Sequence, residues 1–403
     1  MTAPSLPAGA PVLADLPPNA RRLLLELMTN GPTHRADLAR ALGVSRTTIT
    51  NLTTSLIEDD LLEIIETDRS QLKRPVATTA RLGTLVSLAF FVDTCALAIT
   101  TFDGRLAAQA SVAIAPTLSA RERLDTAIEL VRATYRQHHL DVESLRGIHL
   151  ALDTQVNTRT GDIHAEHASV RWYGVNPLQY LRAAFPVPIL LENSIRLSGL
   201  AEALWGAGSG HRDVLYLSVR RGATSAHIQD GAIVSGSHGG AGEFGHVVYH
   251  WDGPPCACGN RGCAMQYMCI PALVGNYQKR TGRQVDWPQF LQLVEAGDQV
   301  AQGIAEDAAV VCARTLINVA HVLDPGVVII NRAGVARLPN FIDEVGHYLG
   351  EHALPLVGRH LQVIASTLPD VVGATARAGI HPLRQSAQVQ ALVGATNGNG
   401  GAH

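Results

Sequence analysis

Lysine is almost absent from this chain of 403 residues: Lys73 and Lys279 are the only two, and arginine carries the rest of the positive charge. Lysine and arginine together number 32 against 35 aspartates and glutamates, a formal net charge of −3. Without a global basic field, any contact with nucleic acid must come from a local patch. No run reaches the ~20 apolar residues that a membrane-crossing helix needs. Residues 1–18 lack the basic start and apolar stretch of a secretory signal. The six cysteines are not spaced as a disulfide framework. Charged residues are only 17%, too few for a highly charged disordered chain. The expectation is a cytoplasmic protein with no membrane partner.

Hydrophobic residues make up 46% of the chain, and its length exceeds one usual core, so two or three domains are expected. The densest chemistry lies in residues 239–263, GGAGEFGHVVYHWDGPPCACGNRGC. Cys256, Cys258 and Cys263 fall within eight residues, and His246 lies ten residues upstream of the first. Three thiolates and one imidazole suit a closed tetrahedral zinc site, structural because no position is left open for chemistry. Gly259 and Gly262 allow the tight turn that gathers three sulfurs on one ion. Cys95, Cys269 and Cys312 are isolated and read as small core residues.

The N-terminal pattern reads as three helices and a wing. Leu23, Leu24 and Leu27 fall at helical spacing in a first helix ended by Asn30-Gly31-Pro32. Thr33 is placed to cap a second helix, with Leu38 and Leu42 inward; Gly43-Val44 is the turn. Ser45 caps a third helix from Arg46 to about Glu58, apolar at Ile49, Leu52 and Leu56. Its remaining faces carry Arg46, Thr47, Thr48, Thr50, Asn51, Thr53 and Thr54. Solvated helix faces favour Glu, Lys and Gln over threonine. Short hydroxyl and amide side chains beside one arginine are what a DNA major groove accepts. Two strands, 61–66 and 76–79, flank a polar tip with Arg69, Lys73 and Arg74, completing a winged helix-turn-helix. Candidate DNA contacts are Ser45, Arg46, Thr47, Thr48, Thr50 and Asn51 on the helix, and Arg69, Lys73 and Arg74 on the wing. Residues 1–80 hold eight basic and nine acidic side chains, so the salt dependence should be modest.

From residue 83 onward strands alternate with helices after an initial three-stranded meander, an α/β pattern of two lobes around a cleft. The expected division is a disordered tail at 1–18, a winged head at 19–80, a two-lobed core at 81–390 and a disordered tail at 391–403.

The motifs AGEFGH at 241–246, CACGNRGC at 256–263 and ENS at 192–194 resemble the ROK family, which groups sugar kinases with sugar-responsive transcriptional repressors. The resemblance covers essentially residues 19–385, and a winged helix before the core looks like the repressor branch. It implies an actin-like, ribonuclease H-like core with a zinc loop at 246–263 and a sugar pocket in the cleft. Carried over by residue, Asn193, Glu243 and His246 would meet the effector, a sugar or oligosaccharide. Where the kinases hold a catalytic aspartate the chain has Ser194, a poor base at neutral pH. The family's later pocket glutamate falls at Met265. The phosphate-loop glycine pair is lost at 93–96, only one glycine survives at 222–226, and 331–334 is poor in glycine. Phosphate cradles need inward backbone N–H groups at φ values that β-carbons obstruct, so kinase activity is expected to be lost.

The first reading is therefore a homodimeric, non-enzymatic regulator that binds a palindromic operator in double-stranded DNA, a repressor released by a small carbohydrate. A second keeps DNA binding but answers to another metabolite or a protein partner. A third is a sugar kinase with an appended head.

Overall fold

A computed structural model describes residues 16–66, 74–163 and 170–392. The expected tails fall mostly outside these residues, as do the wing tip at 67–73 and with it Arg69 and Lys73.

Helix α1 (Pro18–Asn30) starts with proline at its first turn, where the missing N–H costs nothing. It ends at Gly31. Helix α2 (Arg35–Leu42) is not capped by Thr33: the preceding residue is His34, without a side-chain cap, and Thr33 bridges to Val76 instead. Gly43 then turns the chain at φ 67°. Helix α3 (Arg46–Glu58) begins where Ser45 Oγ accepts the Thr48 N–H at 3.0 Å. Strands β1 (Leu62–Ile64) and β2 (Val76–Thr78) pair antiparallel.

The first lobe follows: β3 (Thr84–Phe90), β4 (Thr94–Thr101), β5 (Leu106–Ala113), α4 (Ala120–Gln137), β6 (Leu145–Leu152), α5 (Pro177–Ala184) and β7 (Ile189–Asn193). Its strand order is β5-β4-β3-β6-β7. Helix α6 (Ser194–Trp205) leads to the second lobe. There β8 (Asp213–Val219), β9 (Ala223–Gln229) and β10 (Ala232–Ile233) precede the cysteine loop. Helices α7 (Met265–Met268), α8 (Ile270–Thr281), α9 (Trp287–Glu295) and α10 (Gln299–Leu323) come next, then β11 (Val327–Ile330), α11 (Phe341–His352), α12 (Pro355–Gly358) and β12 (Gln362–Ala365). The second sheet runs β10-β9-β8-β11-β12 and so repeats the first: an antiparallel meander followed by two parallel strands.

The chain closes with α13 (Val371–Ala378), α14 (Ile380–Gln385) and α15 (Ala387–Leu392), three helices that the sequence pattern did not announce. Ala391 and Leu392, expected in the tail, belong to α15. Helices α6 and α13 lie between the two sheets. Ala89, Ala96, Ala98 and Ala151 of the first lobe share one buried cluster with Leu197, Leu200, Val214, Ile329 and Ala376. Small side chains on the sheet let both helices approach closely. Each fully buried leucine there contributes ~1.5–3 kcal/mol.

The head has no closed core of its own. Leu23, Leu27, Leu38, Ile49 and Leu56 join Leu85 and Phe102 of the first lobe and Ile380, Leu383 and Val389 of the C-terminal helices in one buried cluster. The boundary expected at 80–81 is therefore a packed joint. Polar bonds fix it as well: the Thr78 N–H donates to Asp103 at 2.7 Å, and Arg384 Nε donates to Met28 O at 2.7 Å.

Candidate functional site

The third helix of the head presents what the sequence implied. Ile49 and Leu56 are buried and Leu52 half-buried, while Ser45, Arg46, Thr47, Thr50 and Asn51 are exposed. Thr48 is half-buried and its hydroxyl pairs with Ser45 Oγ at 2.8 Å. Thr50 donates to Arg46 O at 2.8 Å, so its methyl and hydroxyl are held against the helix. Thr53 leaves the polar face: it is buried, accepts Arg35 Nε at 2.9 Å and donates to Thr50 O. Arg74 lies at the base of the wing, half-buried and paired with Glu66 at 3.1 Å. Arg69 and Lys73 lie outside the described residues.

His246, Cys256, Cys258 and Cys263 come together with their ligand atoms all within 4.8 Å of one another. Cys256 Sγ lies 3.7 Å from His246 Nδ1, and Cys258 Sγ lies 3.6 Å from Cys263 Sγ. A tetrahedral ion with metal–sulfur bonds of about 2.3 Å has edges of about 3.8 Å, so the donor spacing fits zinc. Those sulfurs are too far apart for a disulfide. Burial pushes the Cys263 thiol up to about 12, and the neighbouring thiols add to it. Cys256 moves the other way: burial opposes it, but hydrogen bonds from the Cys258 backbone, Gln266 and the neighbouring thiols hold its thiol below the usual range. The loop is shaped by two bridges, Val248 to Cys263 and Pro255 to Arg261. Gly262, at φ 68°, lies so close to the His250 backbone that a β-carbon would collide with its carbonyl.

Of the cleft residues, Asn193 ends β7 and caps α6. Its Oδ1 accepts the Ile195 and Arg196 N–H groups, and its Nδ2 donates to Thr154 O at 3.1 Å. Its amide is therefore largely spent on the backbone. Ser194 Oγ is buried and makes no hydrogen bond. Glu243 precedes a short 3-10 turn over Phe244–His246, and His246 is its last residue. Burial raises the Glu243 carboxyl above its usual range, opposed by His246, Arg196 and a hydrogen bond from Gln155. Gly242, at φ 88°, presses against the Ser225 carbonyl where no side chain fits, which seats this loop on β9.

A buried ion pair that the sequence reading missed holds the loop from the other side. Arg196 NH2 meets Glu192 at 2.6 Å, both nearly inaccessible. Its NH1 donates to Gly239 O and Ala241 O at 2.7 Å, and Ser235 donates to Glu192 at 2.5 Å. Glu192 lies at the end of strand β7 and Arg196 in the first turn of α6, so only the strand-to-helix turn brings the two charges together, which spacing alone does not show.

Met265 is half-buried at the start of α7 and packs on the second lobe's core. The loops that would cradle a nucleotide carry side chains in place of glycine. Asn331 donates to the Tyr216 hydroxyl and accepts the Ala333 N–H, while Arg332 Nε donates to Ser366 O. Cys95, Cys269 and Cys312 are all buried. No helix among the described residues is long and apolar enough to cross a membrane.

The MarR family model matches residues 14–70, the head. The chain is 21% identical over 353 residues to the xylose repressor of Bacillus spizizenii, covering 87% of this chain and 91% of that one. It is 26% identical over 245 residues to the glucokinase of Thermotoga maritima, covering 55% of this chain and 76% of that one. Among solved structures, a ROK family transcriptional regulator described as a homologue of the Escherichia coli MLC protein superposes with a TM-score of 0.71. That match has 18% identity and covers 93% of this chain and 97% of the other. The ROK family model itself matches residues 89–378, most of the first sheet, all of the second and the cysteine loop within the second lobe, and the chain belongs to the ROK family.

Proposed function

We propose that the protein is a sequence-specific DNA-binding transcriptional regulator, a repressor released when a sugar or sugar-derived effector enters the cleft between the lobes. The observation that carries this is α3: a helix capped by Ser45 whose apolar stripe is buried while Arg46, Thr47, Thr50 and Asn51 face outward. Exposed short polar side chains on the second helix of a helix-turn-helix suit base edges, and Arg46 suits guanine. Arg69, Lys73 and Arg74 would contact the backbone. The repressor and regulator likenesses span head and core together, whereas the glucokinase likeness spans only 55% of the chain.

In this reading 19–80 reads DNA and 81–390 senses the effector. Glu243 accepts effector hydroxyls, His246 orients one through its free ring nitrogen, and Asn193 offers its remaining N–H. His246, Cys256, Cys258 and Cys263 would hold a structural zinc that fixes Glu243 and His246 in place. Release requires the effector to bind the DNA-incompetent arrangement more tightly. A homodimer would set two heads on a palindromic operator, half-sites about 34–36 Å or a multiple apart. The compartment is the cytoplasm, where DNA and reduced thiols coexist.

Mobility shift with the protein's own promoter region tests the reading; salt-stable, sequence-dependent retardation is expected, and its absence ends it. Asn193 spending its amide on the backbone and Met265 packing into the core favour a second reading, a DNA-binding regulator that answers to another metabolite or a protein partner. A thermal-shift panel of sugars separates the two. A true effector at a hundred times its dissociation constant adds about 2.7 kcal/mol, and a flat panel selects the second. Phosphoryl transfer has no carboxylate base at Ser194, so ADP release with hexoses and amino sugars is expected at background.

A further inference from the structure

The outward row of short polar side chains on α3 ends at an arginine of α2. Arg46, Thr50 and Thr53 stand at i, i+4 and i+7, one line along the helix. Thr50 donates to Arg46 O at 2.8 Å and Thr53 donates to Thr50 O at 3.0 Å, so both hydroxyls turn back onto the backbone. Thr53 closes the line. It is fully buried, and Arg35 Nε donates to its Oγ1 at 2.9 Å across a separation of 18 residues. A guanidinium therefore stands where the row leaves the surface.

Other arginines of the head are spoken for. Arg22 donates to Leu42 O, Arg40 pairs with Asp37 and Arg74 pairs with Glu66. Arg35 spends only Nε, on a neutral hydroxyl; among the described residues neither of its terminal nitrogens has a partner. A half-buried guanidinium pinned at Nε offers those two nitrogens as a fixed fork, and the fork matches two oxygens of a phosphate. Being held in advance, it loses little entropy when an anion arrives.

Distance along the helix selects phosphate over a base edge. From Arg46 to Thr53 the helix rises ~10 Å. A recognition helix meets base edges with its N-terminal residues, in a major groove about 8.5 Å deep. With Arg46 at the groove floor, Arg35 stands level with the DNA backbone at the rim. It also opens α2, the helix that crosses the DNA backbone in this motif. Residues 1–80 carry more acidic than basic side chains, so each cation fixed on the groove-facing side counts.

We propose that Arg35 is a phosphate contact of the DNA interface, outside the candidates read from the sequence, and that its bond to Thr53 fixes α3 in the groove at the same time; this rests on the regulator reading above. Fluorescence anisotropy of the full chain provides the test, on its own promoter duplex and on a scrambled duplex of equal length, over a range of salt. Arg35→Gln keeps a donor for Thr53 and removes only the charge. It should weaken binding to both duplexes by the same factor and cut the slope of log affinity against log salt by about 0.9. Over about a fourfold rise in salt the wild type should then lose about 3.5 times more affinity than the variant. Arg35→Lys should keep the wild-type slope. Circular dichroism confirms the folding of each variant, and a merely structural role would move stability but not the slope. An unchanged slope in Arg35→Gln, a slope equally reduced in Arg35→Lys, or a loss confined to the promoter duplex would overturn the proposal. A wild type that binds neither duplex removes the regulator reading and this contact with it; a wild type that binds while Arg35→Gln keeps its slope removes this contact alone.

Discussion

Arg46 is a single exposed side chain with no ion pair or side-chain hydrogen bond among the described residues, on the first turn of a helix whose opposite side is buried. Its replacement touches nothing in the fold. Arg46→Ala should therefore leave the melting temperature unchanged and weaken promoter binding by 1–3 kcal/mol, about five- to 150-fold, measured by fluorescence anisotropy. An unchanged affinity would remove Arg46 from the interface. The cap, the stripe and the cysteine cluster were all legible because each depends on local spacing. Thr53 was misread because its burial depends on Arg35, eighteen residues away. The Glu192–Arg196 pair was invisible for a related reason: spacing shows neither the strand-to-helix turn that joins the two charges nor their burial. Asn193 fits its sequence motif, yet only the structure shows the motif's amide turned to capping α6.

Among the elements, the C-terminal helices were the least legible. Residues 371–392 carry mostly small and polar side chains, and α13 packs against the sheets through Gly373, Thr375, Ala376 and Ala378, small residues that leave little apolar signal, while Arg377 faces solvent. The hydroxyls of Ser198 on α6 and Thr375 on α13 bond at 2.8 Å, and Ser198 also donates to Ser194 O. At the other end Arg384 Nε reaches Met28 O in the last turn of α1, where carbonyls lack helical partners and a cation is favoured. Removing that bond leaves a buried acceptor unsatisfied. Arg384→Ala should cost about 1–3 kcal/mol, read as a lower melting temperature by calorimetry. An unshifted transition would show that packing alone holds the head. The cysteine loop makes a separate prediction. Cys258→Ser should release stoichiometric zinc, lower the second lobe's stability and abolish effector response while leaving α1–α3 folded. A variant that still responds to effector would show that the loop does not shape the pocket. Stripping the metal from the wild type with a strong chelator should reproduce the lost response, and restored zinc should reverse it.

At the scale of the whole molecule, the duplicated sheets make two lobes, and the head is bolted to one of them through the shared cluster of α1, Phe102 and α14. A change in lobe closure then moves the head as a body and not through a loose tether. Two-lobed alternation could be read from the sequence because strands and helices differ in period. The packed joint could not, since its residues come from opposite ends of the chain. Footprinting of the protein on its own promoter, with and without candidate sugars, tests the proposed function most directly. Two protected half-sites separated by whole helical turns, lost when one sugar is added, is the expected result. A promoter left unprotected under every condition would contradict it.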